Sequence, residues 1–113
     1  MTGIGAAPAR AGDLPDLAHF AACTGRLSAL MEHQFLTDGP ASEDTRRRRD
    51  AFADILDAIT PPGAETRVMA LRIEAKAAHG ALLTQARFGQ DPGHIAQRRA
   101  ETLIGLCTGL LLG

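Results

Sequence analysis

The sequence predicts an all-α fold, either an antiparallel helical bundle or an elongated array of helical hairpins, with about four helices. Residues that favour strands are scarce: aromatic residues make up 4% of the chain, Trp and Tyr are absent, and valine occurs once, at Val68. Alanine and leucine, which favour helices, dominate instead. Four amphipathic segments are each bounded by capping or breaking residues. At 113 residues the chain has room for one domain.

The beginning of the chain is predicted to form a disordered tail over residues 1–12. Glycines and Pro8 interrupt this stretch, and no apolar periodicity is present there. Residues 13–113 are therefore predicted to form a single helical domain.

The first helix is predicted over residues 14–38. Asp13 can cap it, Pro15 is tolerated in its first turn, and Gly39 with the following proline is expected to stop it. Its apolar positions recur mostly at steps of three and four: Leu14, Leu17, Phe20, Ala21, Leu27, Leu30, Met31 and Phe35.

The second helix is predicted over residues 43–59, with Ser42 as its cap and Pro61 beyond its end. Its apolar stripe has the spacing i, i+3, i+4 and i+7: Phe52, Ile55, Leu56 and Ile59.

The third helix is predicted over residues 62–88, capped by Thr60, with prolines in its first turn and Gly89 at its end. Its apolar positions alternate steps of four and three, as in a heptad seam: Ala64, Val68, Leu71, Ala75, Ala78 and Leu82.

The fourth helix is predicted over residues 92–112, with Asp91 as its cap and Pro92 as its first residue. Its seam repeats the same steps: Ala96, Ala100, Leu103, Cys107 and Leu110. Four such stripes cannot be buried singly, so the helices are expected to pack on one another.

The charge balance speaks against a polyanion-binding protein. Lys and Arg number 12 and Asp and Glu number 13, for a net charge of −1, so we expect no nucleic-acid partner. The strongest charge run, residues 46–49, could grip a phosphate backbone. It is interpreted instead as a solvated turn that neutralises itself through pairs at i, i+4: Glu43 with Arg47, Asp44 with Arg48, and Arg46 with Asp50.

The two cysteines, Cys23 and Cys107, form no CxxC motif and have no clustered histidines. Residues 1–12 also lack the pattern of a signal peptide. The sequence therefore predicts buried free thiols and a cytoplasmic location.

The sequence predicts no catalytic residue, no metal site and no cofactor. None of the glutamates has a histidine three residues later, as a bundle metal site requires, and no nucleophile or phosphate-binding motif is present. A non-enzymatic protein is expected. The histidines are interpreted as surface or hydrogen-bonded interfacial residues: His19, His33, His79 and His94.

The most apolar stretch is residues 103–112. As a helix it would span about 15 Å, half of the roughly 30 Å of a bilayer core, so no membrane span is predicted. Its apolar side chains exceed one narrow stripe. The helix is therefore either buried on several sides or presents an apolar face to a partner.

Two parts of the chain resemble FlgN-type flagellar export chaperones, in particular short alphaproteobacterial forms. The first is the sequence LSALME at 27–32, followed by Asp38, Gly39 and the sequence FADIL at 52–56. The second is AAHGALL at 77–83 with ARFG at 86–89 and QRR at 97–99. The resemblance spans about residues 14–104.

The resemblance implies a cytoplasmic, non-enzymatic chaperone. It would keep hook-filament junction proteins from assembling early and deliver them to the type III export gate. It also implies that the client's terminal helix lies on the fourth helix of this chain, where the partner-binding residues would be Leu103, Ile104, Leu106, Leu110 and Leu111.

Two alternatives use the same sequence features. A self-associating structural domain would form a homodimer through the apolar fourth helix. A regulatory domain that binds a small ligand would need an apolar cavity, and the low aromatic content speaks against one.

Overall fold

The computed structural model describes residues 15–89 and 91–112, and this part of the chain is almost entirely helical. The predicted all-α fold with about four helices is confirmed. The predicted tail over residues 1–12 and the capping role of Asp13 lie outside the described residues. The helices are α1 (Pro15–Thr37), α2 (Gly39–Ile59), α3 (Glu65–Arg87) and α4 (Ile95–Leu112), and a 3₁₀ turn (Pro92–His94) precedes α4.

Helix α1 is the centre of the packing. Helices α2 and α3 both lie along it, and α4 packs against α1 and α3. One core cluster lies between α1, α2 and α3 and consists of Leu17, Ala21, Leu56 and Val68. A second cluster lies between α1, α2 and α4 and consists of Cys23, Leu27, Phe52 and Cys107. The ring of Phe20 contacts both clusters, and its centroid is 5.4 Å from that of Phe52.

The connection between α1 and α2 is shorter than predicted, because Asp38 rather than Ser42 caps α2. The Asp38 carboxylate accepts a hydrogen bond of 3.2 Å from the backbone N–H of Ala41. Gly39 and Pro40 therefore form the first turn of α2, where a proline is tolerated because its missing N–H would have no helical partner.

Ser42 fastens α2 to α1 instead of capping a helix. Its side chain is buried, and its hydroxyl donates a hydrogen bond of 3.0 Å to the carbonyl oxygen of Met31 on α1. The hydroxyl of Thr45, also buried, donates to the side-chain oxygen of Gln34 at 2.5 Å. Two buried polar side chains thus find partners across the helix pair.

The predicted cap of α3 is also wrong. The Thr60 hydroxyl donates to the carbonyl oxygen of Leu56 at 2.6 Å, so Thr60 closes α2. Helix α3 begins at Glu65, whose carboxylate accepts a hydrogen bond of 2.8 Å from the N–H of Gly63. The two prolines that precede Gly63 lie in the connecting turn rather than in the first turn of α3.

The connection between α3 and α4 follows the prediction more closely. Gly89 ends the α3 segment with a φ of +77°, which glycine adopts without steric cost. The Asp91 carboxylate accepts hydrogen bonds of 2.6 Å and 3.0 Å from the N–H groups of Ala96 and Gln97, so its capping role is confirmed. Helix α4 nevertheless begins at Ile95 rather than at residue 92, because Gly93 has a φ of +71° and interrupts the helical path.

Helices α1 and α3 approach each other closely at Gly25. A Cβ atom at this position would overlap the carbonyl oxygen of Arg72 and lie 3.0 Å from the backbone nitrogen of Lys76. The face of α3 that contacts α1 therefore includes the backbone of Arg72 and Lys76. This face extends from Val68 to His79, and both of these end residues are buried.

This packing shifts the buried stripe of α3 away from the predicted seam. Val68 is buried as predicted, but Ala78 is exposed and its neighbour His79 takes the buried position. Leu71 is half-buried, as are Ala64, Ala75 and Leu82. In α1, Phe35 belongs to the predicted apolar stripe but is 75% exposed, because it lies in the last turn, beyond both core clusters.

Candidate functional site

The two cysteines form a disulfide bond that joins α1 to α4. The Cα atoms of Cys23 and Cys107 lie 5.6 Å apart, and the side chains are buried. The prediction of free thiols is therefore wrong. The two residues are separated by 84 positions in the chain, and they come together only because their helices pack side by side.

A groove runs beside this disulfide between α1 and α4, with a volume of about 300 Å³. We call it the α1–α4 groove. It is lined by His19, Cys23, Arg26, Leu103, Leu106 and Leu110. Apart from the disulfide-bonded Cys23, the lining consists of three leucines and two basic residues, His19 and Arg26.

Three of the five residues predicted to bind a partner, Leu103, Leu106 and Leu110, line this groove. Leu106 is 63% exposed, whereas Leu103 and Leu110 are half-buried. Ile104 packs inward against the second core cluster, and Leu111 is exposed but does not line the groove. Helix α4 is thus partly core and partly an open apolar face.

A second cavity, of about 260 Å³, lies between α1, α3 and α4. We call it the arginine cavity. Its polar lining comes from Arg26 on α1, His79 on α3 and Arg99 on α4, and Leu103 is part of its apolar wall. Because Arg26 and Leu103 line both spaces, the arginine cavity and the α1–α4 groove adjoin each other.

His79 was predicted to be a surface or hydrogen-bonded residue, and it is neither. Its side chain is only 1% exposed, and neither Nδ1 nor Nε2 has a hydrogen-bond partner in the described part of the chain. Burial, with a smaller contribution from the positive charge of Arg26, lowers the pKa of His79 to about 4. The imidazole is therefore neutral at pH 7, with one donor and one acceptor nitrogen unused.

The two arginines of the cavity lie close enough to repel each other. Burial lowers the pKa of Arg26, and the charge of Arg99 lowers it further. Among the described residues, the ion pairs involve arginines of α2 and Lys76, but neither Arg26 nor Arg99. Within the described part of the chain, no carboxylate lines the arginine cavity. Sequence reasoning missed this cluster, because its members come from three different helices.

The arginine run of α2 pairs with carboxylates of its own helix, but of the three predicted pairs only Arg46 with Asp50 forms among the described residues. Asp44 pairs with Arg47 instead of Arg48. Arg46 contacts Glu43 at 3.0 Å and Asp50 at 3.3 Å. The expected partner of Arg47 was Glu43, but Arg47 pairs with Asp44, three residues before it. A hydrogen bond from Glu43 raises the pKa of Arg46.

The structure contains no cluster of three or more metal-ligating side chains within residues 15–89 and 91–112. Over the same residues, no helix has the length and apolar content needed to cross a membrane. In comparisons with protein-family models, curated proteins and solved structures, nothing matches this chain.

Proposed function

We propose that the chain is a non-enzymatic protein-binding module whose α1–α4 groove receives an amphipathic helix of a partner protein. The observation that carries the proposal is the position of Leu106. This leucine is 63% exposed at the edge of a groove whose other leucines, Leu103 and Leu110, are half-buried. A large apolar side chain beside a concave apolar surface is the arrangement that recognises helical partners.

The charge of the groove specifies the partner further. His19 and Arg26 line it, and among residues 15–89 and 91–112 no carboxylate does. A complementary helix would place apolar residues at i, i+3 or i+4 against the leucines and an acidic residue next to Arg26.

The disulfide supports a groove that exists before the partner binds. Cys107 lies in the middle of the leucines that line the groove and is bonded to Cys23 on the opposite wall. Gly105 and Gly109 flank it and weaken α4 as a helix, but the crosslink holds α4 against α1. A preformed groove avoids part of the ordering cost of binding.

The resemblance to FlgN-type chaperones supplies the more specific form of this proposal. In that form the partner is the terminal helix of a hook-filament junction protein, and the chain acts in the cytoplasm. The paired cysteines do not support the cytoplasmic location, because stable disulfides are typical of oxidising compartments. Thiol alkylation in intact cells, followed by mass spectrometry, would show whether the bond forms there.

The test uses a displayed library of helical peptides, together with peptides that cover the terminal helices of hook-filament junction proteins. Binding of the selected peptides is measured by fluorescence anisotropy. We expect Leu106→Asp to weaken binding at least tenfold. The matched control is Ile95→Asp on the same helix, because Ile95 is 65% exposed and lies outside the groove. This control should bind like the unmodified chain.

Three outcomes would contradict the proposal: no peptide with an apolar stripe is selected, Leu106→Asp binds normally, or both variants lose binding equally. Sedimentation at several concentrations tests the homodimer alternative. Self-association that Leu106→Asp abolishes and Ile95→Asp preserves would assign the same groove to a second copy of the chain.

A further inference from the structure

We propose that the arginine cavity binds a small organic carboxylate that carries an apolar group. The proposal rests on three features of the cavity: two converging arginines, a buried histidine without partners and walls of alanine and leucine. The cavity shares Arg26 and Leu103 with the α1–α4 groove, but His79 and Arg99 lie outside that groove and distinguish the two sites.

The first feature is the positive charge of the cavity lining. Arg26 and Arg99 project from α1 and α4 into one space, and their mutual repulsion is unfavourable without an anion between them. Neither arginine belongs to an ion pair within the part of the chain that the structure describes. A guanidinium presents several donors in a planar fork that fits a carboxylate, and two residues of this kind line the cavity.

The second feature is the buried side chain of His79. A buried polar group with no hydrogen bond is costly and requires an explanation in a folded protein. His79 has two such nitrogens and lines the same cavity as the arginines. Both nitrogens are closed to solvent in the observed ring orientation, so a rotation of the imidazole would bring one N–H to a carboxylate oxygen in the cavity. A neutral imidazole can donate that hydrogen bond, and a bound negative charge would offset the repulsion that Arg26 exerts on the protonated form.

The third feature is the small volume of the cavity and its apolar wall. The cavity volume of about 260 Å³ falls just below the range of roughly 300–1,000 Å³ that is typical of ligand pockets, so the ligand must be small. The remaining lining is apolar, which favours an alkyl chain over a second polar group. These residues are Ala75, Ala78, Leu82 and Leu103.

The experiment titrates the full chain, with its disulfide intact, with sodium octanoate below its micelle-forming concentration. Binding is followed by calorimetry and by the rise in melting temperature. We expect Arg99→Gln to weaken octanoate binding at least tenfold, and Arg26→Gln to do the same. Because Arg99 is exposed, its replacement should leave the fold unchanged. The matched control is Arg48→Gln, which removes the same charge from an exposed position on α2 outside the cavity.

Two further ligands and one further variant sharpen the result. Octanol has the alkyl chain without the charge, and inorganic phosphate has the charge without the chain, so both should bind at least tenfold more weakly than octanoate. Leu106→Asp, which impairs the proposed partner groove, should bind octanoate normally because Leu106 does not line the arginine cavity.

Four outcomes would overturn the proposal. Octanoate fails to bind, Arg99→Gln binds it as tightly as the unmodified chain, octanol binds equally well, or phosphate binds equally well. Loss of peptide binding in Leu106→Asp has no bearing on these results, so failure of one proposal is distinguishable from failure of the other.

Discussion

Replacement of Gly25 by alanine should destabilise the fold, although alanine is the better helix former. The new Cβ atom would overlap the carbonyl oxygen of Arg72 and lie 3.0 Å from the backbone nitrogen of Lys76. Both obstacles are backbone atoms of α3, so no side chain can turn aside to make room. The whole of α3 would have to move away from α1, and the contacts of Val68 in the first core cluster would loosen.

The magnitude follows from two opposing contributions. Overpacking of a close contact costs about 1–3 kcal/mol, and the rigid backbone neighbours place Gly25 at the upper end. The gain in helix propensity from glycine to alanine is about 1 kcal/mol. The expected net loss in the free energy of unfolding is therefore about 2 kcal/mol, a large part of the roughly 5–15 kcal/mol of a typical domain.

Gly80 provides the matched control for this change. It also lies within a helix, but apart from its chain neighbours and the backbone of its own helix, no heavy atom of the described residues lies within 4 Å of a Cβ atom built there. Gly80→Ala should therefore stabilise the chain by about 0.5–1 kcal/mol. Urea unfolding followed by circular dichroism measures both variants. If Gly25→Ala is as stable as Gly80→Ala, or more stable, the close approach of α1 and α3 is refuted.

Three further predictions test the packing of the other helices of the bundle. Cys107→Ala opens a crosslink between residues 84 positions apart and should cost about 2–5 kcal/mol in urea unfolding; a reductant should lower the stability of the unmodified chain and leave the variant unchanged. Since the pKa of His79 is about 4 in the fold and 6.5 in its ordinary range, the unfolded chain binds the proton more readily. Stability should fall by roughly 3 kcal/mol as the pH decreases from 6.5 to 4, and His79→Leu should remove this decrease; parallel pH profiles would contradict it. Leu56→Ala should cost about 2–5 kcal/mol in the free energy of unfolding, because Leu56 is fully buried. Leu71→Ala should cost about 1 kcal/mol, because Leu71 is half-buried. Equal losses in thermal or urea unfolding would contradict the observed shift of the α3 stripe.

The apolar face of α4 is the part of the candidate site that could be predicted from the sequence. Apolar residues beyond one stripe in α4 mark an unusual helix, and three of its leucines do line a groove. Ile104 lies outside the predicted seam of α4, yet it packs against the second core cluster, as the seam residue Leu110 also does. Which side of α4 faces the interior depends on the rotation of α4 about its own axis, and the period of the apolar residues alone does not determine that rotation.

The sequence by itself determined the helical class and the approximate places where the chain turns. These features are local: helix propensity and caps act over a few residues, so Gly89 and Asp91 could be assigned their roles from their neighbours alone. Even there, the sequence predicts Ser42 as the cap of α2, whereas Asp38 holds that position. Ser42 instead finds its hydrogen-bond partner on α1, which only the tertiary packing brings within reach.

Only the tertiary structure decided what meets across the bundle. Cys23 pairs with a residue 84 positions away, Gly25 admits the backbone of α3, and His79 shares a cavity with Arg26 and Arg99. No residue spacing in the sequence predicts these contacts, because each depends on the rotation of one helix about its axis relative to another. A shift of one residue around α3 exchanges an exposed alanine for a buried histidine, and it is the close packing of α1 against α3 that fixes this rotation.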